Sequence, residues 1–590
     1  MGPTADTTVH AIRRTRFVYV ILAVIFAVFL LRAFYLQIVK YSYYHKAALS
    51  DQLKEYDIPA ERGTIKAHMG DGTISLVLNE KLYTIYADPS MIKASDASKV
   101  ADSLADNLGG NSSDYRKKIT QKDTRYVILA KKVPKDTKEK LFKLKYAGIG
   151  AEEQQYRTYP DGQLASQLLG FVNNDGQGVY GIEQALNSKL AGVNGQLKAV
   201  TDINGVPLAA NTGNILKEPQ AGSDVTLTVD VGMQKQLEDI LQKDAQNVKA
   251  QSASALIMDV NTGAVKAMAN FPTYDPTNYG DVEDVSVFNN AAVSYPIEIG
   301  SIMKALTTAA ALDTKAITPT ETYYDPSKYV IDDFTVKNIE EDGGAGTKSI
   351  KDILDLSLNT GATWELMQMG GGQLNLQGRQ KWYSYMTDHY MFGKQTGIEQ
   401  ESEAEGIVPR PENNGAGINL TYANTAFGQA MTATPIQAAA AMAAVVNGGT
   451  YYQPTLIDST TNEKGQTIPN EPKVVKKDVV SQDTTNALIP MLENVVSTHR
   501  FSRKFDQNAY MVGGKTGTAQ IAKSTGGYEE NDYNGTYLGF VGGDKAQYVI
   551  SVFVIKPKVT GYAGTAAAQP IFGDLAHMLI DDFGVTPKTH

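Results

Sequence analysis

The most pronounced hydropathy feature lies at the start of the chain, where Phe17 to Leu31 is an unbroken apolar run. After Arg32 the apolar character resumes through Ala33, Phe34, Tyr35, Leu36, Ile38 and Val39. Read as one helix, Phe17 to Val39 matches the roughly 20 residues needed to cross a bilayer. Arg32, close to the outer end, can snorkel towards the headgroups. A cleaved leader is the alternative, but the bulky sequence Arg32-Ala33-Phe34-Tyr35 offers no small-residue cleavage site. The pattern therefore predicts an uncleaved anchor. Arg13, Arg14 and Arg16 precede it, so the positive-inside rule places residues 1–16 in the cytoplasm and everything after about residue 40 outside.

Residues 40 to about 220 mix short β-rich pieces, such as Leu82 to Ala87, with polar helical pieces, such as Thr137 to Lys145. Many Gly, Asn and Asp turn signals punctuate them, which predicts an irregular α+β region. A stretch rich in Asn, Gly and Pro from about Asn204 to Ser223 reads as a domain boundary. Beyond it Val225 to Val229 alternates like a strand, and Met233 to Leu241 carries apolar residues at helical spacing. Ala255 to Val260 and Ala264 to Met268, joined by Asn261-Thr262-Gly263, predict a β-hairpin. Gly535 to Val541 and Tyr548 to Ile555 predict a second strand pair, and Phe572 to Ile580 a last helix. Strands at both ends with helices between imply one α/β domain over 221–585, its sheet assembled from distant pieces. The Ala-rich run Ala438 to Val446 is too short to span a membrane and ends at Asn447-Gly448-Gly449.

Composition narrows the function classes. At 590 residues, 42% hydrophobic and 20% charged, the chain is globular and multidomain. Its net charge of -9 includes no long basic run, so the footprint of nucleic-acid binding is missing. The absence of cysteine excludes disulfides, thiolate metal sites and thiol nucleophiles.

Three short motifs carry candidate chemistry: Ser301-Ile302-Met303-Lys304, Ser357-Leu358-Asn359 and Lys515-Thr516-Gly517. Gly300 and the Ala-rich stretch Ala305 to Leu312 predict a helix around the first. At i and i+3, Ser301 and Lys304 then share a helix face, and a neutral lysine can take the serine proton. Lys515, brought into the same cleft, is a cation that lowers the lysine pKa. Ser-x-x-Lys also occurs at Ser90-Met91-Ile92-Lys93, which after Asp88-Pro89 reads as a surface turn. Other chemistries lack their signatures. There is no Gly-x-Ser-x-Gly elbow, the seven histidines show no catalytic context, and no His-Glu-x-x-His occurs. Gly513-Gly514-Lys515-Thr516 is not a nucleotide P-loop, because the glycine required at position 509 is Ala509.

The order and spacing of the three motifs match the acyl-serine set of penicillin-binding proteins and β-lactamases. The chain resembles a class B, monofunctional penicillin-binding protein, and the likeness extends beyond those motifs. Arg62-Gly63, Arg157-Thr158-Tyr159-Pro160 with Leu169 to Val172, and Gly181-Ile182-Glu183 resemble the family's pedestal domain. Phe427-Gly428-Gln429, Thr434-Pro435-Ile436-Gln437 and Asn447-Gly448-Gly449 are similar to the stretch between its second and third motifs. The resemblance implies a serine β-lactamase-like transpeptidase domain of α/β (α+β) build, preceded by a dimerisation or pedestal domain over 40–220 and one transmembrane helix over 17–39.

It also implies roles. Ser301 would attack a D-Ala-D-Ala stem peptide with Lys304 as base, Ser357 would relay a proton, and Asn359 would orient Lys304 and the substrate. Lys515 and Thr516 would bind the terminal carboxylate, Gly517 would leave room for substrate, and the N–H groups of Ser301 and Thr518 would form the oxyanion hole. No metal or cofactor is implied. The implied partners are stem peptides, β-lactams, the plasma membrane and a separate glycan polymerase of the SEDS (shape, elongation, division, sporulation) family. A catalytically silent assembly scaffold, or a β-lactam sensor or hydrolase relative, are the alternative functions. The chain departs from the family at Ile299, where proline is usual, and at Ile302 and Met303. It also departs at Lys66 to Gly70, where an Asp-Arg-Asn-Gly-like turn is usual.

Overall fold

The structure is a computed structural model and describes residues 6–44, 53–200, 215–338, 344–412, 417–523 and 527–589. The apolar N-terminal run forms a helix over Asp6–Phe34 that ends in a π turn over Tyr35–Val39. Within it Thr15–Val39 is long and apolar enough to cross a membrane, and its large side chains are exposed. The chain divides into two compact units, Met1–Glu61 with Gly192–Ala221, and Arg62–Ala191 with Gly222–His590. The expected pedestal stretch 40–220 is thus shared between them. In the first unit, Leu53–Ile58, Gly195–Val200 and Ile215–Lys217 form a small antiparallel sheet. Residues 201–214 of the expected boundary loop lie outside the described residues.

In the second unit the long strand Gly72–Ala87 is the spine of a sheet with Ile65–Met69, Val127–Val133 and Ile149–Thr158. Asp224–Asp230 joins it in parallel beside Ile65–Met69, so distant segments share one ladder. The pedestal motifs meet at a buried ion cluster next to this sheet. Arg62 Nε donates to Glu183 Oε2 at 2.8 Å, and Arg157 Nε donates to Glu183 Oε1 at 2.6 Å. Glu183 is fully buried, and Asn79 and Asn187 accept from the remaining guanidinium groups. A carboxylate between two guanidinium forks satisfies its lone pairs with charge-assisted bonds, which is what its burial requires.

The helix α1 (Val231–Asn247) begins where the Asp230 side chain accepts the Met233 N–H, an N-cap at the predicted strand-to-helix switch. The predicted hairpin follows as β1 (Ser252–Asp259) and β2 (Val265–Phe271). Among the helices that lead to the C-terminal strands are α2 (Met303–Asp313), α3 (Ile350–Asp355), α4 (Asn359–Met369), α5 (Pro435–Val446) and α6 (Gln482–Thr498). The chain then forms β3 (Met511–Ala522), β4 (Tyr528–Gly542), β5 (Ala546–Ile555) and the last helix, α7 (Gln569–Asp582).

The five strands form one antiparallel sheet in the order β2-β1-β5-β4-β3. Its two ends come from segments some 250 residues apart in number, as the sequence pattern implies. Alternation sorts the side chains onto two faces. Ala255, Ile257, Ile550 and Val552 pack with Leu237 and Leu241 of α1 and Phe572 and Leu575 of α7. Leu256, Met258, Val549 and Phe553 face the other core, which holds α2 and α5. Every residue of α5 is buried, so the Ala-rich run is a core helix. Its small side chains let it approach the sheet closely, and a reciprocal Thr434–Gln437 capping box satisfies its first turn.

Candidate active site

Ser301 does not sit on an α-helix proper. It occupies a 3₁₀ turn, Gly300–Ile302, that runs into α2. The cause is Gly300, whose φ of +62° is left-handed and cannot belong to a right-handed helix. The Gly300 N–H donates to the Gly428 carbonyl at 2.9 Å. A Cβ added to Gly428 would lie 2.0 Å from the Gly300 carbonyl oxygen. Backbone thus presses on backbone, and the Phe427-Gly428-Gln429 stretch fixes where the serine begins.

Lys304, one turn on, is fully buried. Its Nζ donates to Ser301 Oγ at 3.0 Å, Asn359 Oδ1 at 2.8 Å, Ser357 Oγ at 3.1 Å and the Ser357 carbonyl oxygen. The first two motifs are therefore one hydrogen-bonded cluster. Ser357 lies in the tight connection between α3 and α4 with a φ of +58°, a region sparsely used by residues other than glycine. That turn is held on both sides. A Ser349–Asp352 capping box starts α3, and the Leu358 N–H closes back on the Ile353 carbonyl at 3.0 Å. Asn359 opens α4 and donates through Nδ2 to the Lys337 carbonyl at 3.1 Å. Next to it Thr360 Oγ1 donates to the buried Asp325 carboxylate.

The third motif arrives on β3, an edge strand of the five-stranded sheet. Lys515 is fully buried, and its Nζ donates to the carbonyl and hydroxyl oxygens of Thr516 at 3.2 and 3.4 Å. Thr516 and Thr518 line one cleft of about 200 Å³ together with Ser301, Ser357 and Asn359. Gly517 does not face open space. A Cβ there would meet Thr536 Oγ1 at 2.2 Å, the Ile299 carbonyl oxygen at 2.8 Å and the Ile302 nitrogen at 3.1 Å. The room it spares is filled by the turn carrying the serine, whereas the resemblance reserves it for substrate. The second Ser-x-x-Lys is the expected surface feature, a short turn over Pro89–Met91 capped by Asp88, with Lys93 exposed.

Sequence reasoning missed several cleft residues. Asp355, His499, Tyr562 and Thr565 line it, and no motif announced them. His499 has no catalytic signature in the sequence around it. Its Nε2 donates to the Asp355 carbonyl at 3.3 Å, and burial and then the Lys515 charge hold its pKa below the usual histidine range. Glu365, fully buried on α4, accepts from Thr308 Oγ1 at 2.8 and 3.1 Å. Burial pushes its pKa up to about 8, against the pull of the Thr308 hydrogen bond and the Lys304 charge.

This arrangement gathers a serine, a buried lysine and a Ser-x-Asn turn at one cleft beside the edge strand of the five-stranded sheet, and comparison with known proteins supplies the family. Residues 253–577 match the penicillin-binding protein transpeptidase domain, and residues 57–227 match the penicillin-binding protein dimerisation domain. The chain belongs to the penicillin-binding protein family with a transpeptidase domain. It is 30% identical to Stage V sporulation protein D of Bacillus subtilis over 98% of this chain and 87% of that protein. It is 25% identical to peptidoglycan D,D-transpeptidase FtsI of Escherichia coli K12, over 94% of this chain and 89% of that one. Among solved structures, penicillin binding protein 2X from Streptococcus thermophilus shares the fold with a TM-score of 0.73 at 24% identity. That match covers 90% of this chain and 81% of the other.

Proposed function

We propose that the chain is a serine-type peptidoglycan D,D-transpeptidase that cross-links stem peptides through an acyl-enzyme on Ser301. The observation that carries this reading is the Lys304 Nζ contact with Ser301 Oγ at 3.0 Å, inside a cluster completed by Ser357 and Asn359. To act as base, Lys304 must enter the reaction as the neutral amine, a form that exclusion from water favours. Ser301 Oγ attacks the carbonyl carbon of the penultimate D-Ala as its proton passes to Lys304. The resulting oxyanion takes hydrogen bonds from the backbone N–H groups of Ser301 and Thr518. The C–N bond then breaks, and Ser357 delivers the proton to the departing D-Ala amine. Asn359 Oδ1 keeps Lys304 aimed throughout, while Lys515 and Thr516 hold the donor's terminal carboxylate. An acceptor amine attacks the ester carbonyl, forms the new amide and returns the proton to Ser301. A β-lactam acylates the same oxygen by opening its ring amide, and its leaving group stays tethered.

The one-span anchor supports a membrane-bound enzyme with residues 1–16 inside and the domains 40–220 and 221–585 outside, in the sense set by Arg13, Arg14 and Arg16. A transpeptidase of this kind works beside a glycan polymerase, for which a SEDS-family membrane protein is the partner. The test is covalent labelling of the full-length chain with a fluorescent penicillin. Wild type takes the label and Ser301→Ala takes none. A labelled Ser301→Ala protein refutes the nucleophile, and an unlabelled wild type leaves an assembly scaffold in its place.

A further inference from the structure

His499 is the one histidine among the described cleft-lining residues, and three features bear on what it does there. Its ring is half-buried and lines the same cleft as Thr516 and Thr518. Its Nε2 donates to the Asp355 carbonyl, and the neighbouring Thr498 hydroxyl donates to the Asp355 carboxylate. These two bonds tie the end of α6 to the end of α3, just before the left-handed Ser357. The charged groups that face the ring are Lys515 from β3 and Asp355 from α3.

The Nε2 bond to a carbonyl fixes the proton on that nitrogen, so the second proton of an imidazolium goes on Nδ1. Burial and the Lys515 charge oppose that proton, and the nearby Asp355 charge favours it. An anion held by Lys515 and Thr516 would support it as well, since it offsets the Lys515 charge that the ring feels. Anion capture and His499 protonation must therefore reinforce one another, by the reciprocity of linked equilibria.

We propose that His499 is a specificity-determining residue of this cleft, a titratable second cation beside Lys515 that strengthens capture of substrates with an anionic end. This rests on the reading of Ser301 and Lys515 given above. The ring also keeps the Ser357 turn in place through Asp355, a role that its neutral and charged forms both fill.

The test uses the full-length chain in detergent and a fluorescent penicillin, whose carboxylate stays ionised between about pH 5 and about pH 8. Acylation rates at several penicillin concentrations separate the capture constant from the acylation rate constant. In wild type, capture tightens about fivefold as pH falls from about 8 to about 5, most of it at the acid end below the usual histidine range, an effect of the size a partly screened charge exerts. In His499→Gln, whose amide still donates to Asp355, the capture constant is flat with pH while the acylation rate constant keeps its wild-type value. In His499→Lys, capture is tight at every pH. A pH-independent wild-type capture constant overturns the proposal without recourse to any variant. So does a His499→Gln protein that keeps the wild-type pH response. A wild type that takes no label removes the Ser301 reading itself, and this inference with it, so the two failures are told apart.

Discussion

Two of the buried cationic centres among the described residues are built on opposite plans. At the pedestal motifs, Arg62 and Arg157 close on the two oxygens of Glu183, so charge meets charge. At the cleft, Lys304 donates to a hydroxyl, an amide oxygen, a second hydroxyl and a carbonyl, oxygens that carry no formal charge. The first plan offers no proton to exchange, because guanidinium groups only donate and both carboxylate oxygens are occupied by them. The second leaves protons movable, because an amine among hydroxyl groups can exchange one with Ser301. Burial alone therefore does not mark a reactive site. What distinguishes the two is what the buried cation is hydrogen-bonded to, the oxygens of a carboxylate in one case and hydroxyl, amide and carbonyl oxygens in the other.

The strongest way to break this contrast is at the reactive centre. Lys304→Met keeps the length and apolar stem of the side chain but removes the amine, and should slow penicillin acylation at least about a thousandfold. Stopped-flow labelling measures it, with thermal unfolding as the control for folding. A variant that acylates at the wild-type rate would show that the amine moves no proton. The matching change at the pedestal centre is Glu183→Gln, which strands two buried guanidinium groups beside a neutral amide. It should cost about 3–5 kcal/mol of stability, read from denaturant unfolding, while acylation of the folded fraction stays near wild type. A loss of acylation without a loss of stability would erase the distinction between the two sites.

The smallest effect sharpens it. Glu365 lies near Lys304 but holds its own proton up to about pH 8 in the folded state, whereas in the unfolded chain it ionises at an ordinary carboxylate pKa of about 4.3. Between those values the unfolded state binds fewer protons than the folded one, so stability falls as pH rises through the window. Glu365→Gln lacks that slope. Its stability relative to wild type should climb from near zero at about pH 5 to about 1–3 kcal/mol near pH 8, by urea unfolding at both ends. A pH-independent difference would mean that Glu365 does not hold its proton in the fold.

Much of the architecture can be read from the chain because it is local. The apolar run from Phe17, the Ala255 to Met268 hairpin and the i, i+3 pairing of Ser301 with Lys304 each depend on residues close in sequence. The C-terminal strands carry their alternation openly, and the helix after Asp230 is announced by its cap. What stays hidden depends on distant packing. Arg62, Arg157 and Glu183 are each recognisable as pieces of a motif, yet nothing in their spacing shows that one carboxylate serves both arginines. His499, Tyr562 and Thr565 reach the cleft from segments with no signature, carried there by α6 and by the segment leading to α7. The 3₁₀ turn at Ser301 was similarly out of view, because Gly300 reads as a helix start until Gly428 is seen pressing on it.

That contact between Gly300 and Gly428, with Gly517 packed against Ile299 and Ile302, governs how the cleft can evolve. An extra carbon at Gly428 or Gly517 collides with main-chain atoms, which cannot step aside as a flexible side chain would. Variants that discriminate between a drug and a natural peptide are thereby channelled outward, to rim side chains such as Gln429, Tyr562 and Thr565. There a change of size reshapes the entrance while Ser301 keeps its seat.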